Sequence, residues 1–106
     1  MNINEFAKDV HMNAILHGWW TDDKKFPEII ALCHSELSEA LEEYRNDKPM
    51  FYVKDGKPEG IGTELMDCVI RILDYCEYMH IDIEETLRLK NEYNRTRPFR
   101  HGGKKI

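Results

Sequence analysis

Apolar residues recur every three or four positions in four segments of this 106-residue chain, which is the spacing of amphipathic helices. Asn2 followed by Glu5 is typical of a helix start, and so is Asp82 followed by Glu85. Pro27 suits the first turn of a second helix. The pattern predicts four helices, over about residues 2–18, 27–47, 61–80 and 82–95.

The third predicted helix is apolar over more than half of its circumference. Such a face favours either the most buried helix of a bundle or a helix that also meets another subunit. Between the second and third helices the periodicity breaks, and Asp55-Gly56 is typical of the turn of a short hairpin. The predicted fold class is therefore all-α, a four-helix bundle with a short irregular or hairpin insertion between helices 2 and 3. Pro98 and Gly102-Gly103 predict one helical domain over residues 1–95 and a basic flexible tail over residues 96–106.

Charge is unevenly distributed along the chain. Twenty Asp and Glu against fifteen Lys and Arg give a formal net charge of −5 at pH 7. The last twelve residues hold five basic residues and no acid, so the residues before them carry −10. A body this acidic argues against a general nucleic-acid binder, because phosphate neutralisation needs clustered cations. It suits divalent metal ions instead.

The compartment is predicted mainly from missing signals. No apolar stretch approaches the length of a membrane span, and MNINEFAKDV has neither the charged nor the apolar region of a leader peptide. Three cysteines without CxxC spacing lie in apolar patterns, which favours reduced, buried thiols. We therefore expect a cytoplasmic protein with no membrane partner.

Two pairs of carboxylates stand at helical spacing. Glu36 and Glu39 lie three residues apart on the second predicted helix, and Glu64 and Asp67 do so on the third. Positions three apart share a helix face, and a connection of about a dozen residues suits antiparallel neighbours. If the apolar stripes beside the pairs pack together, the four acids meet at one seam. Those stripes are Cys33, Leu37 and Ala40 on one helix and Leu65, Ile72 and Met79 on the other.

Four carboxylates at one seam favour Mg²⁺ or Mn²⁺, which prefer oxygen ligands. The alternative is a solvated acidic face, which is common in a chain that is 33% charged. Glu42, Glu43 and Asp74 on the same helices are interpreted as solvated charges. Arg71, one turn after Asp67, is placed to pair with it.

The sequence around the four acids resembles a known family. Glu36-x-x-Glu39, 24 intervening residues and Glu64-x-x-Asp67 resemble the MazG-like all-α nucleoside triphosphate pyrophosphohydrolases. The first pair lies within CHSELSEALEEYR and the second within GIGTELMDCVIRILDY, and RLKNEYNRTRPFRHGG resembles the end of small single-domain members. The resemblance covers about residues 27–103.

This resemblance implies a reaction, a metal and an assembly. Family members cleave a nucleoside triphosphate between the α- and β-phosphates, giving the monophosphate and pyrophosphate by attack of a metal-activated water. By the family pattern, Glu36, Glu39, Glu64 and Asp67 hold Mg²⁺, with Mn²⁺ as a substitute, and Glu36 or Glu39 also orients or deprotonates the water. Members of this size are homodimers, or homotetramers built as dimers of dimers.

A triphosphate bound to such a site needs further cations and a surface for its base. Lys90 and Asn94 share a helix face, and family members often place a Lys and an Asn here. An aromatic ring can stack on the base, and of the adjacent Trp19 and Trp20 we expect one to pack in the core. The candidate substrate-binding residues are Lys24, Lys25, Lys90, Tyr93, Asn94, Arg97 and Trp20, with Trp19 and Arg100 as further candidates.

Other functions stay open at this point. Within the same superfamily, the substrate could be phosphoribosyl-ATP or a dUTP-like or dCTP-like nucleotide. A different class is a catalytically silent helical oligomerisation or interaction module whose acids are only solvated. A di-iron oxidase is less favoured, because Glu77-x-x-His80 is a single ExxH element and such sites use two.

Overall fold

A computed structural model of the chain describes residues 1–22 and 26–98, and within them the chain is mostly helical with one small sheet. In chain order the elements are helix α1 (Ile3–Leu16), helix α2 (Phe26–Arg45), strand β1 (Tyr52–Lys54), strand β2 (Lys57–Glu59), helix α3 (Ile61–Tyr78) and helix α4 (Ile83–Arg95). The four predicted helices are confirmed, although their predicted ends extend up to two residues further. Of the two predicted forms of the insertion between α2 and α3, the structure has the hairpin. The fold therefore consists of four helices and one small antiparallel sheet.

Side-chain caps begin α1 and α4 and also tie the two helix starts together. The Asn2 side chain accepts a hydrogen bond from the backbone N–H of Asn4 at 2.9 Å, and Asp82 accepts one from the N–H of Glu85 at 3.1 Å. The Asn4 amide donates to Asp82 and accepts from the N–H of Glu84, both at 2.9 Å. These contacts fix where α4 leaves the rest of the molecule.

The hairpin turns at the dipeptide that the sequence predicts. Asp55 and Gly56 both have positive φ, 53° and 78°, as a two-residue type I′ turn requires. At the far end, Gly60 has a φ of 117°, and a Cβ built there would lie 2.5 Å from the carbonyl oxygen of Met50. Only glycine fits this position without a backbone shift, and α3 begins directly after it.

A tyrosine anchors the hairpin to α2. The Tyr52 hydroxyl lies 3.0 Å from a carboxylate oxygen of Glu43 and 3.1 Å from one of Glu59. Burial, followed by these two carboxylates, raises the pKa of Tyr52 to about 12. The prediction that Glu43 is a solvated charge is therefore wrong, because the side chain has a structural partner across the connection.

Helix α3 occupies the centre of the fold, as its broad apolar face predicts. It packs against both α1 and α2. One small buried cluster comprises Ala7, Leu73 and Ile83, and the other comprises Ile29, Cys33 and Cys68. Phe26 at the start of α2 contacts Tyr75 near the end of α3. Glu39, later in α2, contacts Glu64, early in α3. Helices α2 and α3 are therefore antiparallel.

The seam between α2 and α3 differs from the predicted one. Cys33 and Ala40 are buried as predicted, but the buried residue between them is Glu36, not Leu37, which is 45% exposed. On α3 the predicted stripe of Leu65, Ile72 and Met79 is also exposed, and Cys68 takes its place. Helical spacing alone could not distinguish the buried face from the predicted apolar stripe, because the two are neighbours around each helix.

The displaced apolar side chains are exposed, and together they are called the apolar face below. Leu37 and Leu65 each follow an acid by one residue, which is a rotation of about 100° around the helix, and in antiparallel helices this rotation places both sets on the same side of the seam. Glu36 lies within the seam, and Asp67 lies on its other side. The apolar face consists of Leu37, Leu41 and Tyr44 on α2 and Leu65, Val69 and Ile72 on α3.

Helix α4 is the least packed helix among the described residues. It contacts α1 and buries Ile83. Further along, Leu87, Leu89 and Tyr93 are each more than half exposed. None of the helices within residues 1–22 and 26–98 combines the length and apolar character that crossing a membrane requires.

Candidate active site

The four predicted carboxylates come together at the seam between α2 and α3. Oxygens of Glu36, Glu64 and Asp67 lie within 4.8 Å of one another. Glu39 joins them through a side-chain hydrogen bond with Glu64. Because α2 and α3 are antiparallel and each pair is spaced by three residues, the first acid of one pair faces the second acid of the other. The predicted juxtaposition is confirmed for Glu36, Glu64 and Asp67, and Glu39 lies beside Glu64 at their edge.

Crowding of like charges changes the protonation of the cluster. Burial first, and then the hydrogen bond and charge of Glu39 with the charges of Asp67 and Glu36, raise the pKa of Glu64 to about 7. Burial and the charge of Glu36 raise the pKa of Asp67, although its hydrogen bond with Glu64 opposes this. Near neutral pH the cluster therefore retains a proton that separate carboxylates would release.

The donor set fits a hard divalent cation. Three carboxylate oxygens within 4.8 Å can all reach one ion, and they are the ligand type that Mg²⁺ and Mn²⁺ prefer. Glu36 is only 7% exposed, so its carboxylate cannot be read as a solvated surface charge. Glu39 is exposed and lies at the edge of the cluster. Glu36, Glu64 and Asp67 are the residues best placed to hold an ion, with Glu39 beside them.

An arginine already partners the most buried acid. The Nε of Arg71 donates to Oε1 of Glu36 at 2.9 Å across the seam. The sequence predicts a pair between Arg71 and Asp67 on the same helix, and the observed ion pair is instead with Glu36, while Arg71 acts on Asp67 only by lowering its pKa at a distance. The Arg71 guanidinium also lies over the ring of Trp19, 5.0 Å from its centroid.

An open cleft adjoins the cluster and has a volume of about 610 Å³. Its α1 wall includes Asn13 and His17, and Trp19 follows from the turn after α1. On the side of α2 and α3 the cleft is lined by Glu36, Asp67, Ile70, Arg71 and Asp74. A cleft of this size, with acids and an arginine at one end and an indole ring beside them, has room for a nucleotide.

Trp20 belongs to a packed network beside the cleft. Its Nε1 donates to both carboxylate oxygens of Asp74, at 3.0 and 3.1 Å, and its ring stacks on Tyr78 with centroids 4.2 Å apart. Nδ1 of His11 lies 2.6 Å from Asp74. Asp74 is therefore not the solvated charge that the sequence predicts, because it joins α1, the following turn and α3. Of the two tryptophans, Trp20 packs inside and Trp19 lines the larger cleft.

The remaining candidate substrate residues are not brought to this cleft. Lys90, Tyr93, Asn94 and Arg97 are exposed on or just after α4, and none of them lines it. The Lys90 ammonium lies over the Tyr93 ring, 4.9 Å from its centroid. Lys24, Lys25 and Arg100 lie outside the described residues.

Sequence reasoning identified the acids and missed the role of Arg71. Helical spacing brings Asp67 within reach of Arg71, so a local pair is the simplest prediction. The burial of Glu36 decides the true partner, since a buried carboxylate needs a cation, and local spacing carries no signal of that burial. No protein-family model, curated protein or solved structure matches this chain.

Proposed function

We propose that this chain is a Mg²⁺-dependent nucleotide pyrophosphohydrolase that cleaves NTP or dNTP to the monophosphate and pyrophosphate. The observation that carries the proposal is the convergence of Glu36, Glu39, Glu64 and Asp67 from two helices onto one partly buried cluster. Such a cluster is costly without a cation, and the raised pKa of Glu64 is a measure of that cost. The proposed family is the MazG-like one that the sequence resembles.

The proposed mechanism assigns the residues by their positions. Glu36, Glu64 and Asp67 hold the ion, and Glu39, exposed at the edge of the cluster, orients the attacking water and accepts its proton. Mg²⁺, when bound, supplies positive charge that neutralises phosphate oxygens and favours deprotonation of that water. The burial of Glu36 keeps bulk water away from the inner side of the cluster.

The cleft is the proposed nucleotide site. With the phosphates at the acidic end, the base would lie toward Trp19 and the α1 wall, where Asn13 and His17 offer polar groups. Lys90 and Arg97 do not line this cleft within one protomer, so we propose that any contact they make with the phosphates comes from another copy. This is consistent with the proposed homodimer or dimer of dimers.

Assembly is supported by surfaces that one protomer leaves uncovered. The apolar face and the outer part of α4 are both exposed. Within residues 1–22 and 26–98 only seven hydrophobic residues are buried, so the core is small and association would extend it. We propose that the apolar face is the homodimer interface, on the opposite side of the seam from the cleft.

The proposal is tested by product analysis. Purified protein with Mg²⁺ is incubated with a panel of canonical and modified NTPs and dNTPs, and the products are identified by phosphorus NMR. We expect monophosphate and pyrophosphate from at least one substrate, and loss of turnover with EDTA. Orthophosphate as the first product would contradict the assigned cleavage site.

The competing proposal is a silent helical interaction module. The exposed apolar face favours it, since such a surface suits a protein partner as well as a second copy. It predicts no turnover on the panel and no change of melting temperature with Mn²⁺. The enzyme proposal predicts a rise of several degrees, because ion binding relieves repulsion among the four acids.

A further inference from the structure

Glu36 has two competing uses in the proposed enzyme. Its side chain is 9% exposed, and its Oε1 accepts from Nε of Arg71, whose side chain is 25% exposed, at 2.9 Å. The same carboxylate is one of the three whose oxygens lie within 4.8 Å. One carboxylate can in principle accept from an arginine with one oxygen and hold an ion with the other. The two cations repel each other at this distance, however, so a bound ion weakens the pair between Glu36 and Arg71.

Arg71 has a second support that keeps it near the cluster after it leaves Glu36. Its guanidinium lies over the ring of Trp19, 5.0 Å from the centroid, and both residues line the cleft. A planar guanidinium on an aromatic face can rotate while it keeps this contact, and phosphate oxygens suit its donors in a bidentate geometry. Because Arg71 lines the cleft, an anion bound there can accept from its donors.

We infer that Arg71 is an internal counter-cation of the metal site, which exchanges Glu36 for a phosphate when a divalent ion binds. This inference rests on the proposed function and deepens it. Without an ion, Arg71 neutralises the buried Glu36 and lowers the affinity of the cluster for cations. With an ion bound, Arg71 turns to a phosphate of the nucleotide. Metal and triphosphate therefore bind cooperatively, since each one favours the released position of Arg71.

The first test measures ion binding without nucleotide. Mn²⁺ affinity is determined by electron paramagnetic resonance for wild type, Arg71→Met and Arg88→Met. Methionine retains the apolar reach toward Trp19 and removes the charge, and Arg88 is a matched control that pairs with Glu85 on α4. We expect Arg71→Met to bind Mn²⁺ at least tenfold more tightly and Arg88→Met to stay within twofold of wild type.

The second test follows Arg71 in the wild-type protein and does not depend on the folding of a variant. The ¹H–¹⁵N signal of its Nε–H, assigned by through-bond correlations along the arginine side chain, is monitored during a Mg²⁺ titration. We expect this signal to shift as Mg²⁺ saturates the site, while the Arg88 signal stays in place. An Arg71 signal unchanged at saturation would show that the pair with Glu36 persists, and the inference would be wrong.

The third test concerns the phosphate. At saturating Mg²⁺, binding of tripolyphosphate is measured by calorimetry. We expect Arg71→Met to weaken it at least tenfold, and unchanged binding would rule out the transfer of Arg71 to phosphate. If wild type binds Mn²⁺ but Arg71→Met binds it no more tightly, only the counter-cation role is wrong. If neither protein binds Mn²⁺, the proposed function is wrong as well.

Discussion

A substitution of Glu39 can lower the proposed activity without disturbing the packing of the core. It is exposed, and its side chain reaches Glu64 without belonging to the core. We therefore expect Glu39→Gln to lower kcat/KM by at least about a hundredfold, since it removes the proposed proton acceptor. The free energy of unfolding should change by less than about 1 kcal/mol, as for most surface substitutions. Both quantities follow from steady-state kinetics and urea denaturation.

Glu42 provides the matched control for this prediction. It is exposed on the same helix, and its carboxylate accepts a long hydrogen bond from the side-chain amide of Asn46, at 3.4 Å. Glu42→Gln removes the same charge from the same helix and should leave kcat/KM within twofold of wild type. Equal activity of Glu39→Gln and Glu42→Gln would contradict the assignment of Glu39.

Glu64 makes the stability of the metal-free protein depend on pH. Its pKa is raised to about 7 in the folded state, so the folded protein holds a proton that the unfolded chain releases. Stability is therefore greatest below the ordinary pKa of a glutamate and falls as pH rises through about 7. We expect a loss on the order of 1 kcal/mol between pH 5 and 8 in EDTA, after allowance for solvent screening.

The pH prediction is checked by urea denaturation at several pH values with and without Mg²⁺. Glu64→Gln cannot ionise and should flatten the dependence in EDTA. Mg²⁺ should raise the stability of wild type most at pH 8, where repulsion among the acids is greatest. A wild-type stability that rises between pH 5 and 8 in EDTA would contradict the shifted pKa.

At the residue scale, local spacing predicted the acids well and their partners poorly. A spacing of three residues places Glu36 with Glu39, and Glu64 with Asp67, on one helix face regardless of tertiary context. The two pairs meet where α2 packs against α3. The choice of Arg71 between Asp67 and Glu36 depends on burial and on an interhelical distance, neither of which a single sequence encodes locally. Asp74 was missed for the same reason, because its partners Trp20 and His11 lie more than fifty residues away in the chain.

At the scale of elements, the end of the hairpin sets where α3 begins and so where Glu64 lies. Gly60→Ala would place a Cβ 2.5 Å from the Met50 carbonyl oxygen, at a φ of 117°. We expect it to destabilise the protein by about 3 kcal/mol or more, since the backbone must shift. Urea denaturation followed by circular dichroism measures the effect.

Gly56→Ala is the control for Gly60→Ala. Gly56 also has a positive φ, 78°, but an added Cβ meets nothing within 4 Å. Its cost should be only the left-handed conformation, about 1 kcal/mol. Equal effects of the two substitutions would contradict the role of the close approach to Met50.

The elements themselves could be predicted because their signals are local. Asn2 and Asp82 cap helices, and Asp55-Gly56 makes a turn, through contacts within a few residues. The seam could not be predicted in the same way. Leu37 is a better core residue than Glu36 by hydrophobicity, yet Glu36 is the buried one because its charge is paired across the seam.

At the scale of the whole molecule, the cleft and the apolar face lie on opposite sides of the α2–α3 seam. Glu36 and Asp67 line the cleft, whereas none of the six residues of the apolar face does. This division would let a second copy cover the apolar face without blocking a nucleotide in the proposed site. Each helix carries an acid directly followed by a residue of the apolar face, Glu36-Leu37 on α2 and Glu64-Leu65 on α3.

The apolar face should therefore control the oligomeric state. Ile72 and Leu41 are 46% and 57% exposed in one protomer, on the two helices of this face. We expect Ile72→Glu or Leu41→Glu to convert the proposed homodimer to monomers at micromolar concentration. A carboxylate without a partner in an apolar interface costs several kcal/mol, which is a change of at least about a hundredfold in the dissociation constant. Light scattering coupled to size-exclusion chromatography measures the mass.

Val53→Glu is the matched control for the interface variants. Val53 is 59% exposed on the hairpin, and so equally apolar and accessible, but it lies off the apolar face. Its glutamate variant should keep the wild-type mass. The same mass for all three variants would show that the copies associate through another surface, with the outer part of α4 next to be tested. Monomers that still release pyrophosphate from a nucleotide would show that one protomer carries the whole site, whereas inactive but folded monomers would place part of it on a neighbouring copy.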